Sequence, residues 1–279
     1  EIMNSLYTNP VYSAHLKSRN MKQTIMLGFS DGTKDGGYFM ANWSIYKAKE
    51  ELSDVSNEFG VAVAFFDGRG GPPARGGGNT HQFYASMGDR IKADDIQLTV
   101  QGQTISSNFG TIDSSQFNLE QLLSSGISNQ VFKNDDNDLA DVDRITMQQL
   151  ADTSYKSYSD FKSHPKFVPY LENMSTLQYY SKTNIGSRPS KRGNSKELNF
   201  SDLRAIPFVG SWSQSKQNVP GFFGVGSAIL AFDERGEFDK VDSLYQNSAF
   251  FRTLIANSMM SLTKSFFKLT AHIGEDEEF

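Results

Sequence analysis

The 279-residue sequence contains no cysteine, which excludes disulfides and thiolate metal sites and removes thiols as a guide to redox compartment. It lacks any apolar run approaching the ~20 residues that a bilayer-spanning helix needs, and no signal-peptide pattern opens it. Positive charge is not in excess: 27 Lys and Arg against 32 Asp and Glu give a net charge of −5. That argues against nucleic acid or an anionic membrane as a partner and still leaves room for a local basic pocket. The four histidines, His15, His81, His164 and His272, lack the metal-ligand spacing of an HExxH helix. No Ser-His-Asp arrangement is defensible from order alone, and no internal repeat is visible. The chain opens at Glu1 and stops just after a helical pattern, so we expect a piece of a longer protein.

What the sequence has is one unusual stretch, FFDGRGGPPARGGGNTH at 65–81, directly after the apolar run VAVAF at 61–65. Glycines admit positive φ and close approach to the main chain. Arg69 and Arg75, bracketed by glycine pairs, present planar forks suited to phosphate or carboxylate. A plain flexible linker would favour serine over fixed arginines, so we read the stretch as an anion site at a strand end. It is neither a Walker loop nor a dinucleotide fingerprint.

Around it the chain alternates. Residues 24–29 have strand length and run into Ser30-Asp31-Gly32, which has turn chemistry. Residues 38–59 form a long amphipathic pattern, with Met40, Trp43, Ile45, Tyr46, Leu52, Val55 and Phe59 on one face and Lys47, Lys49, Glu50 and Glu51 on the other; Gly60 ends it. Residues 61–65 and 96–100 read as second and third strands, and the apolar run LRAIPFVGSW from Leu203 as a fourth. Residues 114–161 are helical around a polar, acidic stretch at 133–143, with a break at 163–169. A basic stretch at 182–201 has no periodicity, and loops of that length are functional or disordered. Helices follow at 221–232, 237–246 and 249–272. Trp43, Trp212, Phe250, Phe251, Phe266 and Phe267 are assigned to the core. Strands separated by helices imply parallel pairing with right-handed crossovers, and four strands are half of a (β/α)₈ barrel. In that fold function sits at the C-terminal ends of strands, where Asp31, Lys34, Arg69, Arg75 and Gln101 fall. The segment SDGTKDGG at 30–37 reads first as a polar turn and helix cap and second as a hard-cation carboxylate beside a lysine, and its spacing alone does not decide between them. The GSRPSKR segment, with Arg188, Lys191 and Arg192, is either a solvated basic turn or part of the site.

Five stretches, MLGFSDGTKDGG (26–37), FFDGRGGPPARGGGNTH (65–81), LTVQGQTI (98–105), IGSRPSKR (185–192) and LRAIPFVGSWSQ (203–214), resemble phosphoenolpyruvate carboxylase in order and spacing. The resemblance covers nearly the whole chain and implies a single segment, 1–279, of the C-terminal half of such an enzyme. The implied fold is α/β, the later strands of a partial (β/α)₈ TIM-type barrel embedded in a predominantly helical protein. The implied reaction carboxylates phosphoenolpyruvate with bicarbonate to oxaloacetate and phosphate, with Mg²⁺ or Mn²⁺ and without biotin. Carried over by motif, Asp31 is a metal carboxylate, Lys34 and Arg188 lie on the bicarbonate side, and Arg69 and Arg204 hold the phosphate. Arg75 rides the glycine loop and serves the carboxylation step. Aspartate or malate inhibition would use Arg75 and Lys264, and the full-length protein would be a cytoplasmic homotetramer.

The match is not uniform. Asp67 stands where the family usually carries histidine, and we expect it to orient Arg69 or Arg75 through an ion pair. Pro72-Pro73-Ala74 should stiffen the loop. Family parts outside this chain make the segment alone inactive on this reading. The competing readings are a divergent non-catalytic relative that binds an anionic metabolite, an unrelated phosphate-binding barrel, and a structural helical module.

Overall fold

The computed structural model describes residues 1–131, 138–180, 182 and 198–276. A small parallel sheet lies within a mainly helical body. Two short helices, α1 (Ile2–Thr8) and α2 (Pro10–Ser18), lead into β1 (Lys22–Leu27), α3 (Phe29–Gly36), α4 (Tyr38–Glu58), β2 (Ala62–Asp67), α5 (Thr80–Ala85) and β3 (Ile96–Leu98). The strands pair in the order β1-β2-β3, all parallel. The register sets Leu27 beside Asp67 and Asp67 beside Leu98, so three strands end in line. Helix α4 is the crossover between β1 and β2, as parallel pairing requires.

The remaining helices are α6 (Gln103–Phe109), α7 (Ile112–Val131), α8 (Asp141–Lys162), α9 (Phe167–Asn173), α10 (Leu177–Tyr180), α11 (Ala205–Gln214), α12 (Val225–Glu234), α13 (Phe238–Asn247) and α14 (Ala249–Leu262). The main core joins α4 to α14 through aromatic contacts. Tyr46 meets Phe250 at 4.5 Å between ring centroids and Trp43 at 5.6 Å, and Phe39 meets Phe251 at 5.9 Å. Burying a side chain of this size contributes about 1.5–3 kcal/mol. Trp212 is buried against Phe167 and Tyr170.

Several expectations need correction. Among the described residues the fourth strand does not form. Leu203 makes an isolated bridge, and Ala205–Gln214 is helix. A short apolar run is ambiguous between strand and buried helix. Here Arg204 supplies an extended N-cap, and Pro207 sits in the first turn, where its missing N–H costs nothing. The Ser30-Asp31-Gly32 turn is instead the first turn of α3. Helix α14 stops at Leu262, so Phe266 and Phe267 leave its buried face and stand exposed, unlike Phe250 and Phe251. On α4, Lys49 and Glu50 are buried rather than on a solvated face. The basic stretch with Arg188, Lys191 and Arg192 lies outside the described residues, as does much of the acidic stretch at 133–143.

Candidate functional site at the strand ends

The three aligned strand ends bring three loops together. After β1, Gly28 leads into α3 with Ser30, Asp31 and Lys34. The glycine loop follows β2, and Thr99 and Gln101 follow β3. Arg75 joins all three: its Nε donates to Ser30 Oγ at 3.0 Å and its Nη2 to Gln101 Oε1 at 2.9 Å. Thr99 Oγ1 donates to the Arg69 carbonyl at 2.6 Å.

The loop folds on itself. Pro73–Arg75 is a 3₁₀ turn, and the Gly70 N–H donates to the Arg75 carbonyl at 2.7 Å, closing its neck. Gly78 N–H donates to the Gly71 carbonyl at 3.1 Å. Glycine is required at Gly76, where φ is +79° and a Cβ would lie 2.3 Å from Phe29 Cβ.

Arg69 lies at the base and is only 3% exposed. Its Nε donates to the Gly76 carbonyl and its Nη2 to that of Gly77 at 3.3 Å. The guanidinium stacks on Phe83, with Cζ 4.2 Å from the ring centroid, and is flanked by Tyr84 and Phe29. Its Nη1 has no hydrogen-bond partner within the protein. A buried cation held by neutral carbonyls and rings, with a donor to spare, is suited to an anion.

The ion pair expected between Asp67 and an arginine is not the one made. Asp67 is 1% exposed, and its Oδ2 accepts from Lys49 Nζ at 2.7 Å and from the Tyr84 hydroxyl at 2.7 Å. The reason is directional. Asp67 shares with Val63 and Phe65 the sheet face that packs on α4, because side chains alternate along a strand. Burial pushes the Lys49 amine below its usual pKa, Asp67 opposes that shift, and Arg69 adds to it. Burial and the Asp67 charge raise the Tyr84 phenol well above its usual range.

Lys34 is buried on α3, with Nζ 2.5 Å from Asp35 Oδ1 and 4.5 Å from the centroid of the Phe200 ring. Tyr158 donates to the Lys34 carbonyl at 2.7 Å, and Lys162 to that of Asp35. Burial lowers the Lys162 pKa; Asp35 works against the shift and Lys34 with it. Asp31 is exposed in the first turn of α3. Among the described residues no three His, Asp or Glu side chains cluster to hold a metal ion. Arg204 caps α11, half-buried, with its Nε unpartnered within the protein, and α11 packs on α3 and on the loop's 3₁₀ turn. Lys264, just past α14, lines a cleft of about 60 Å³ with Pro72, Pro73 and Ala74.

The structure thus gathers the first three loops and lays α11 and α14 against them. Sequence reasoning gave no site role to Lys49 or Tyr84, and it quoted Ser30 and Thr99 only within the stretches at 26–37 and 98–105. Lys49 and Tyr84 carried no local signal, since only the fold places them beside Asp67.

A family model described as phosphoenolpyruvate carboxylase matches residues 1–275. The phosphoenolpyruvate carboxylase of Corynebacterium diphtheriae is 34% identical over 289 residues, covering 99% of this chain and 32% of that protein. The chain therefore spans about a third of that relative's length. With five motifs in order and a match across nearly all of its residues, the chain belongs to the phosphoenolpyruvate carboxylase family.

Proposed function

We propose that the full-length protein carrying this chain carboxylates phosphoenolpyruvate with bicarbonate to give oxaloacetate and phosphate, supplying oxaloacetate to the tricarboxylic acid cycle. The observation that carries the reading is Arg69: a buried guanidinium with an unpartnered Nη1 at the meeting point of three strand ends. In this reading the strands are part of a (β/α)₈ barrel.

The chemistry joins two anions. A bicarbonate oxygen attacks phosphorus and the P–O bond to the enol breaks, leaving carboxyphosphate and the enolate of pyruvate. Carboxyphosphate then breaks its C–O bond to give CO₂ and phosphate, and the enolate carbon forms the new C–C bond to CO₂. Repulsion between the reactants must be offset by cations already in place. Arg69 and Arg204 hold the phosphate, and Lys34 serves the bicarbonate side, the role that the family motif also gives Arg188. Asp31 offers its carboxylate to Mg²⁺ or Mn²⁺, which supplies further positive charge to the substrate oxygens when bound. The enolate must be kept from water, which would protonate it. The glycine loop serves as the lid, with Phe29, Phe83 and Tyr84 forming a dry wall behind Arg69. Arg75 on the lid serves the carboxylation step or, with Lys264, an aspartate or malate inhibitor. Capture of the loop by the inhibitor then shifts the population away from the closed form. The full-length protein is a cytoplasmic homotetramer in this reading, and no helix among the described residues is long and apolar enough to cross a membrane.

A non-catalytic relative would treat Asp67 as a lesion. The Lys49 partner favours catalysis instead, because it removes the penalty for an acid beside the phosphate arginine. The test is oxaloacetate formation coupled to malate dehydrogenase. The full-length protein should consume both phosphoenolpyruvate and bicarbonate, and the isolated 279 residues should not. Binding of phosphoenolpyruvate without turnover by the full-length protein would refute the catalytic reading.

A further inference from the structure

We propose that Lys49 is a positioning residue of the anion site: with Tyr84 it takes up the charge of Asp67 and so leaves Arg69 a net cation for the substrate's phosphate. The inference rests on the anion-site reading above and adds to it a residue of α4 that shares the Phe29 and Tyr84 rings with Arg69.

Asp67 is a buried carboxylate two residues before Arg69. A buried charge needs a partner of opposite sign, and the cation nearest in sequence is Arg69 itself. A fork-to-carboxylate pair would consume two of the guanidinium's donors and cancel its charge. The structure avoids this. Lys49, reaching across from α4 with its side chain 4% exposed, forms the ion pair at 2.7 Å. Tyr84 donates to the same oxygen at 2.7 Å. Arg69 keeps neutral partners, the carbonyls of Gly76 and Gly77 and the Tyr84 hydroxyl, which hold the guanidinium in place without neutralising it.

The charge count is then simple. Lys49 and Arg69 against Asp67 leave one positive charge in a buried, ring-walled space, and Arg69 Nη1 has no partner within the protein. Lys49 lies over the faces of Phe65, Tyr84 and Phe29, at 5.3, 5.6 and 5.9 Å from their centroids. These rings favour a cation at that point even before Asp67 is considered. Without Lys49, Tyr84 still donates to Asp67 but Arg69 is the remaining cation beside it, and the site becomes neutral.

The experiment is calorimetric titration of phosphoenolpyruvate and of inorganic phosphate into the full-length protein, for Lys49→Met, Asp67→Asn and the double variant, with kcat, KM and thermal midpoint measured in parallel. Lys49→Met should weaken binding of both ligands by at least about tenfold, and adding Asp67→Asn should restore it to within about threefold of wild type, as charge compensation requires. A packing role for Lys49 would move the thermal midpoint of the single variant and leave the affinity of the folded protein alone. If Lys49→Met does not fold, Asp67→Asn decides. Removal of the acid should hold or tighten phosphate binding, and a tenfold loss would make Asp67 an anchor and overturn the proposal. Wild-type affinity in folded Lys49→Met, or no recovery in the double variant, also overturns it. A wild type that binds neither ligand overturns the anion-site reading as a whole, and this inference with it.

Discussion

Gly77 has no room for a methyl group: a Cβ there would lie 1.9 Å from the Gly71 carbonyl oxygen and 2.3 Å from that of Gly70. The obstacles are main chain, so no rotamer change relieves them. Gly77→Ala should cost more than about 2 kcal/mol, the range of forced backbone shifts, read as a lower urea midpoint. It should also weaken phosphate binding in the full-length protein, because the Gly77 carbonyl accepts from Arg69. At this scale the sequence was informative where residues are bracketed by their own backbone requirements. Arg69 stands between Gly68 and Gly70 and Arg75 directly before Gly76, and that context is what makes the loop an anion-site candidate. Lys49 is the opposite case. Helical periodicity assigns a lysine to solvent, and its partner lies 18 residues on, in another element. Nothing local distinguishes it from Lys47.

Helix α4 is joined to α8 by a second buried charge. Glu50, 2% exposed, accepts a bidentate interaction from Arg144, while Arg90 stands 3.8 Å away. Arg144→Ala leaves Glu50 buried with only the distant Arg90. We expect a loss of about 2 kcal/mol by chemical denaturation. That is below the 3–5 kcal/mol of a fully enclosed pair, because Arg144 is a quarter exposed and Arg90 remains. Glu50→Gln should cost less, since it removes the charge that needs compensating. Elements were legible where period and length agreed: β1, β2 and α4 lie within a few residues of their expected bounds. Residues 203–212 failed as a strand because Phe208 and Trp212, buried four apart, satisfy a helix equally well. Phe266 and Phe267 failed for a different reason. An apolar pattern does not reveal that a helix has already stopped.

Taken whole, the molecule buries many phenols. Burial holds the pKa values of Tyr38, Tyr46, Tyr84 and Tyr158 well above the ordinary 10.0. Their contribution to stability is therefore complete below pH 10 and lost as pH climbs toward the folded values, because the unfolded chain releases those protons first. Lys49 and Lys162 act in the other direction: their pKa values lie below 10.5, so the unfolded chain binds more protons just under that point and stability gains as pH rises through it. Four phenols outweigh two amines, and the urea midpoint should fall steeply above pH 10, with the absorbance change of these four buried phenols, isolated by Tyr→Phe difference spectra, appearing together with unfolding rather than ahead of it. Ionisation of these four in the folded protein would contradict this. The convergence of the three strand ends was legible in the alternation of strands and helices. That convergence has a mechanical result. The carbonyls that grip Arg69 belong to Gly76 and Gly77, the two residues after Arg75, and the neck is tied by the Arg75 carbonyl itself. The two arginines are geared. On the proposed reading, a ligand that drags Arg75 out of place must turn Arg69 as well, so the grip on phosphate and the position of the lid would change in one stroke.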